Sequence, residues 1–214
     1  MVRFLSGRHA LIPFPRQDDL EVAQEVCQSY CVDNGAFSIW KKGGQLDLDG
    51  YRVWVDELKR DPSFDFALAP DCISGGEAEN DAMLDGWTDC VPVFHLHEPV
   101  ARLVRLATDY PMVAFGSSEQ YKSPGTPDWW RRMAILMEAI TEFGSPICKL
   151  HGLRMLDPQI FTHLPFRSAD STNVAQNSSG MNFIQQSEII ARRIEAHQSP
   201  QKWSSYGIQE GLAV

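Results

Sequence analysis

Residues 90–118 read CVPVFHLHEPVARLVRLATDYPMVAFGSS, and this stretch decides the fold class. Two short apolar, β-prone runs, CVPVFHLH (90–97) and PMVAFGSS (111–118), flank EPVARLVRLATD, in which Val100, Leu103, Val104 and Ala107 share one helical face. A strand, an amphipathic helix and a second strand make a βαβ unit with parallel strands. The alternation runs on in both directions. Upstream, ALIPF (10–14) precedes a helical pattern near 17–28, YCVDNGAF (30–37) precedes one near 49–60, and FDFALAPD (64–71) precedes a polar, partly helical stretch near 76–86. Downstream, PMVAFGSS leads into PDWWRRMAILMEAITEFG, a helix expected to open on Pro-Asp and stop at Gly144. PICKLHG (146–152) leads into a short DPQIFTHL helix, and PFRSAD (165–170) leads through an Asn/Ser/Gly loop into a helix near 183–197.

Seven such units predict an α/β protein: a single (β/α) TIM-like barrel, compact or slightly incomplete, over residues 1–198, with 199–214 as a surface-docked tail. At 214 residues the chain is somewhat shorter than the roughly 250 of a full eight-fold barrel. An open Rossmann-type sheet is the rival. No strand is followed by GxGxxG, however, and the chain has no Walker A loop.

Composition narrows the function classes. Apolar residues make up 43% and charged residues 22%, as in an ordinary globular protein. No apolar run reaches the roughly 18–20 residues of a membrane span, and MVRFLSGRHALIPFP lacks a signal-peptide h-region. The expected location is the cytoplasm, that of the host if the gene belongs to a phage. Five scattered cysteines (Cys27, Cys31, Cys72, Cys90, Cys148) fit reduced thiols, and none sits in CxxC spacing. A net charge of −9 opposes generic binding to duplex nucleic acid, so any such contact needs a local basic patch. Arg131 with Arg132, Arg154, Arg167, and Arg192 with Arg193 are the candidates, though any one of them reads more readily as a solvated cation.

Nearly every expected strand ends in polar or glycine residues: DNG (33–35), PDC (70–72), HLHE (95–98), GSS (116–118), HG (151–152) and SADST (168–172). The carboxyl ends of parallel strands form the active face of barrels and doubly wound sheets alike. Asp33 and Asp170 suit paired-carboxylate chemistry on a glycosidic bond, one attacking the anomeric carbon and the other moving protons. Each also has a plain reading, Asp33 as an Asx turn and Asp170 as a helix N-cap. Asp71, after FALAP, can accept two N–H bonds from a guanine-like edge, or serve as a turn residue. Gly35 would allow a sharp turn, and Phe37 could stack on a planar group. Gly116 with Ser117 and Ser118, and Gly152 with Leu153, could bring backbone up to a flat ring. Trp129 and Trp130 read as helix-face packing or as a base-stacking rim. His95, His97 and His151 with Asp170 sketch a metallohydrolase set, or neutral histidines bonded at the strand ends.

The order D-N-G-A-F, A-P-D-C, F-G-S-S, H-G-L, S-A-D-S-T resembles the tRNA-guanine transglycosylase superfamily. More specifically, HLHEP, YPMVAFGSS, GTPDWWRRM, KLHGLRMLDP and LPFRSADSTN are similar to its short phage-associated relatives, which act in 7-deazaguanine modification of DNA. The likeness covers most of residues 30–175. It implies a barrel in which Asp170 is the nucleophile that forms a covalent glycosyl intermediate and Asp33 is the acid/base. It implies that Asp71 reads the base edge, with Gly152, Leu153 and Ser117 or Ser118 around the base; Phe37 and His95 complete the expected substrate contacts. Asn34 and Ala36 replace two small residues of the family's motif, and the C-x-C-x-x-C zinc run of the larger enzymes is absent.

The resulting expectation is a pentosyltransferase exchanging guanine for a 7-deazaguanine (preQ0-like) base, with no cofactor and no metal. DNA is the expected polymer ahead of tRNA or a free nucleoside, and a second copy or partner subunit could share in the contact. A metal-dependent barrel hydrolase built on His95, His97, His151 and Asp170 is the alternative enzyme. A non-catalytic member of a modification complex is the alternative of another class.

Overall fold

The computed structural model describes residues 5–72, 75–177 and 182–205. It is a mixed α/β protein with parallel sheets. The chain divides into two compact units, Met1–Val93 and Phe94–Val214. Within the expected tail, residues 206–214 lie outside the described residues, as do 178–181 of the Asn/Ser/Gly loop.

In the first unit, β1 (His9–Pro13), β2 (Ser29–Asp33) and β3 (Phe64–Ala67) form a three-stranded sheet in that order. Both pairings are parallel, with Ile12 opposite Val32 and Val32 opposite Ala67. A 3₁₀ turn and α1 (Leu20–Val26) cross from β1 to β2. Next come α2 (Ala36–Lys41) and α3 (Leu48–Leu58), then α4 (Glu77–Leu84) after β3. Asp47 caps α3 by accepting the Gly50 N–H at 2.9 Å, a contact worth about 1 kcal/mol. The helix turns Tyr51, Trp54, Val55 and Leu58 inward. Tyr51 stacks on Trp87 with centroids 5.2 Å apart, and the Arg52 guanidinium covers the same indole at 3.8 Å.

In the second unit the sheet order is β4 (Val93–His95), β5 (Met112–Gly116), β8 (Lys149–Leu153), β9 (Ser168–Ala169). All five residues of β5 are buried, as a strand covered on both faces requires. The expected strand-helix-strand unit is present, with α5 (Val100–Asp109) between β4 and β5. Its buried face differs from the expected one: Arg102, Leu103, Leu106 and Ala107 point inward, whereas Val104 is exposed. The cause is electrostatic. Arg102 is drawn in by the equally buried Glu98, and this rotates the helix away from its most apolar stripe.

Next, α6 (Pro127–Ile140) is capped by Thr126, whose Oγ1 accepts the Trp129 N–H, with Pro127 at its first position. The helix stops at Ile140, four residues short of Gly144. Thr141–Glu142 (β6) and Ser145–Pro146 (β7) instead make a tight antiparallel hairpin, with Phe143 (φ +52°) and Gly144 (φ +81°) as its two-residue turn. Both central residues at positive φ match the twist that hairpins demand. Then come β8, α7 (Pro158–Phe161), β9, α8 (Asn173–Asn177) and α9 (Phe183–Glu195). Among the described residues no helix is long and apolar enough to cross a membrane.

The expected strand YCVDNGAF is cut short at Asp33. Gly35 takes φ +73°, and a Cβ there would stand 2.5 Å from Pro15 Cδ. Gly35→Ala is therefore expected to destabilise by about 2–4 kcal/mol, the sum of a left-handed backbone and an overpacked contact. The urea unfolding midpoint measures it, and a loss below about 0.5 kcal/mol would show that the turn relaxes freely.

Candidate functional site

The second unit carries a dense set of polar side chains where its strands end. Leu96 N–H donates to Gly116 O at 2.9 Å, which holds the end of β4 alongside that of β5. The pairs β5–β8 and β8–β9 are parallel, with Gly116 opposite Leu153 and Gly152 opposite Ala169. His97, Ser117, Ser118, Arg154 and Asp170 thus follow neighbouring strand ends, where ligands of parallel sheets bind.

Asp170 is the centre of this set. Its backbone N–H donates to Gly152 O (3.1 Å) and its carbonyl accepts from Leu156 N (3.0 Å), so the residue is fixed at both ends. Its Oδ1 accepts the Arg154 N–H at 3.1 Å and lies 3.4 Å from His151 Nε2. Both contacts fall on Oδ1, and the side chain keeps 20% of its exposure. His151 is 2% exposed, and its Nδ1 shares a 2.8 Å hydrogen bond with Ser168 Oγ, which sets the ring's orientation. The N-cap reading of Asp170 does not hold. Ser171 Oγ takes the Asn173 N–H at the start of α8 instead.

Arg154 has φ +58°, rare for a residue with a side chain. This conformation delivers its N–H to Asp170, and its guanidinium reaches Ser117 O at 3.4 Å. Glu119, just past Ser118, is also left-handed at φ +45°. Two of the three non-glycine residues at positive φ among the described residues thus sit beside these strand ends, as strain at working sites does.

Ser117 is buried, and its Oγ accepts the Trp129 indole N–H at 3.0 Å. Ser118 Oγ meets His97 Nδ1 at 2.7 Å, and His97 Nε2 is 3.9 Å from Glu119. Trp129 and Trp130, at 0% and 2% exposure, are core and cannot stack on a base. Gly152 also has a packing reason: a Cβ would meet Phe166 at 2.8 Å and Met155 at 2.9 Å. Its missing side chain makes room for protein, and the next residue, Leu153, is half-buried.

Behind the strand ends lies a buried charge cluster. Glu98 Oε2 accepts the His95 N–H at 2.8 Å and an Arg102 N–H at 2.6 Å, and Oε1 is 3.4 Å from His95 Nδ1. Glu98 and Arg102 are each 1% exposed. Burial by itself would raise the Glu98 carboxyl; the His95 hydrogen bond, then the His95 and Arg102 charges, outweigh it and hold the group below the ordinary carboxylate range. From α6, Arg132 donates to Leu96 O at 2.7 Å and also to Glu98 O, closing over the turn that carries His97.

The first unit holds Asp33, Asp71 and Phe37. Asp33 ends β2, half-buried. The Asx turn belongs to its neighbour: Asn34 Oδ1 accepts the Ala36 N–H at 2.6 Å while Nδ2 donates to Ala69 O. Asp33 bears on Tyr51, whose phenol donates to Leu68 O at 2.8 Å. Burial first, and the Asp33 carboxylate next, push that phenol well above its usual range. Asp71 is half-buried, and the Cys72 N–H that follows it is held by the buried Asn80 Oδ1 at 2.8 Å. Phe37 is 47% exposed on α2.

The histidines do not form the ligand set of the hydrolase alternative. His95 turns to Glu98, His97 to Ser118 and His151 to Ser168 and Asp170. Among the described residues no three His, Cys, Asp or Glu side chains are grouped to hold a metal ion. Of the basic candidates, Arg131 pairs with Asp128 and Arg192 with Glu188. Sequence reasoning missed Asn34, Asn80, Glu98 with Arg102, and Ser168. The Glu98/Arg102 pair had a signal, opposite charges four residues apart at the start of a helix. No protein-family model, curated protein or solved structure matches the chain.

Proposed function

We propose that this chain is a transglycosylase that exchanges guanine for a 7-deazaguanine base in DNA, with Asp170 as its nucleophile. The observation that carries the reading is the setting of Asp170. Its carboxylate stands at a parallel strand end, with Oδ1 held by a backbone N–H and 3.4 Å from the buried His151 Nε2, and it remains partly open to a ligand. The backbone donor fixes the orientation of the carboxylate, the form that attacks. The motif order along the chain supports the base-exchange class. The single (β/α) barrel over residues 1–198 and a cytoplasmic location belong to the same proposal.

In this reading an Asp170 oxygen bonds to C1′ of the nucleotide as the C1′–N9 bond breaks, and the Asp33 carboxyl gives its proton to the departing guanine. The incoming base then returns its N9 proton to Asp33, and N9 displaces Asp170 from C1′. Two inversions retain the configuration. Asp71 would accept the paired donors of the base, and Ser118 with His97 would border it.

The test is to incubate the protein with guanine-containing DNA, quench in denaturant and look for a DNA–protein adduct by mass, mapped to Asp170. The same DNA is scored for uptake of labelled guanine or deazaguanine, with tRNA in parallel. Absence of both adduct and uptake on DNA overturns the proposal. Asp33→Asn is expected to slow exchange by about 10²–10⁴-fold, the range of general acid–base steps, with a smaller loss for a nucleotide whose base leaves readily. Equal losses for good and poor leaving groups would assign Asp33 a structural role.

A further inference from the structure

Of the six tryptophans, Trp54, Trp87, Trp129 and Trp130 are at most 7% exposed, whereas Trp40 is 52% exposed. It lies on α2, the six-residue helix that follows Asp33 after a two-residue turn, and Phe37 stands one helical turn before it, ring centroids 6.2 Å apart. An indole of that size left in water has no packing reason in this fold, since large aromatics ordinarily supply core area. Lys41 and Lys42 follow directly, both exposed.

Among the described residues their charge is unpaired, as is that of the exposed Arg60, Lys122, Lys149, Arg167, Arg193 and Lys202, but here two such cations adjoin an exposed ring. Arg16, Arg52, Lys59, Arg131 and Arg192 each lie against a carboxylate. Among the described residues Lys41 and Lys42 have no such partner. From Asn34 to Leu46 the sequence holds two lysines and no acid, within a chain of net charge −9. Asp33 and Asp47 bound the segment on either side, so the positive charge is that of the adjacent Lys41 and Lys42 alone. Gly43, at φ +70°, follows the helix, and a Cβ built there would meet nothing within 4 Å.

An exposed flat ring with adjoining free cations is the chemistry that holds an unstacked base and its phosphates. We infer that Trp40, Lys41 and Lys42 form a landing for single-stranded DNA beside Asp33. The indole stacks on a base flanking the reacting nucleotide, and the two lysines take neighbouring phosphates. The inference rests on the base-exchange reading and deepens it, since it gives this acidic protein a local means of gripping the polymer.

Fluorescence anisotropy of the full chain with a labelled 15-mer tests it, using single-stranded DNA, its duplex and the RNA of equal sequence over a range of salt. The single strand is expected to bind at least about tenfold tighter than the duplex, because stacking needs an unpaired base. Trp40→Ala is expected to weaken the single strand by roughly tenfold. Lys41→Ala with Lys42→Ala is expected to flatten the slope of log K against log salt by about 1.4, at about 0.7 for each phosphate lost. All three side chains are exposed, so thermal midpoints should match the parent and confirm folding. Equal binding of duplex, indifference to Trp40→Ala, an unchanged salt slope, or a Trp40-dependent preference for RNA would each overturn the inference. Binding with these dependences but no base exchange leaves the landing standing and removes the proposed function. Exchange on DNA that ignores all three substitutions does the reverse.

Discussion

Asp170→Asn is expected to yield a folded protein in which the proposed base exchange falls by at least about a thousandfold, equivalent to roughly 4 kcal/mol of barrier. The amide keeps an oxygen to accept the Arg154 N–H, so the local frame survives. What disappears is the negative charge that would bond to C1′ and stabilise its developing cation. The covalent adduct should vanish with the rate, while far-ultraviolet circular dichroism and the urea midpoint stay near those of the parent. A variant retaining more than about a tenth of the rate would remove Asp170 from the nucleophile role, since that loss is only about 1.4 kcal/mol.

Glu98→Ala is expected to have the largest effect on stability. It strips the short carboxylate contact from Arg102 and the acceptor from the His95 N–H, both in a site 1% exposed. Breaking one side of a buried pair costs about 3–5 kcal/mol, because the remaining charge stays desolvated. For a chain of this length that lowers Tm by roughly 6–20 °C. Glu98→Leu combined with Arg102→Met should recover much of the loss, since the two changes remove the charge as well as its partner. A loss under about 1 kcal/mol for Glu98→Ala would mean that water enters and solvates Arg102.

The same residue shapes the response to acid. The folded-state pKa of Glu98 is depressed, so its contribution is fully present above the ordinary carboxylate range and is lost as pH falls through the folded value. Glu98→Gln has no proton to gain and should show a shallower loss of stability across that acidic window.

The parallel α/β frame was legible because β5 and α6 carry strong, uniform patterns: five buried residues in a row, and apolar positions spaced by three and four. The failures have local causes. In α2, Phe37, Ile39 and Trp40 have the composition of a strand, and nothing in the pattern announces that Asn34 will fold its side chain back onto the Ala36 N–H and start a helix. The hairpin after α6 hides in Phe-Gly, a turn pair outside the usual Asn-Gly signature. In α5 a local ion pair, Glu98 with Arg102 four residues on, took a place on the buried face that apolar periodicity alone would not give it. The candidate site residues Asp33, Ser118 and Asp170 were legible as strand-end positions, and the structure places each at or just after the end of a strand. The partners that give them their properties lie 16 or more residues away, as Arg154 does from Asp170 and His97 does from Ser118.

Arg132 spans 36 residues of sequence to hold the carbonyls of Leu96 and Glu98 with one guanidinium. The turn bearing His97 is thereby clamped to a helix whose inner face is 0–2% exposed. Such a turn cannot breathe on the timescale of a loop. Its slowest amides should exchange with solvent only when α6 itself opens, so this part of the rim behaves as rigid furniture and any adjustment to a substrate must come from elsewhere.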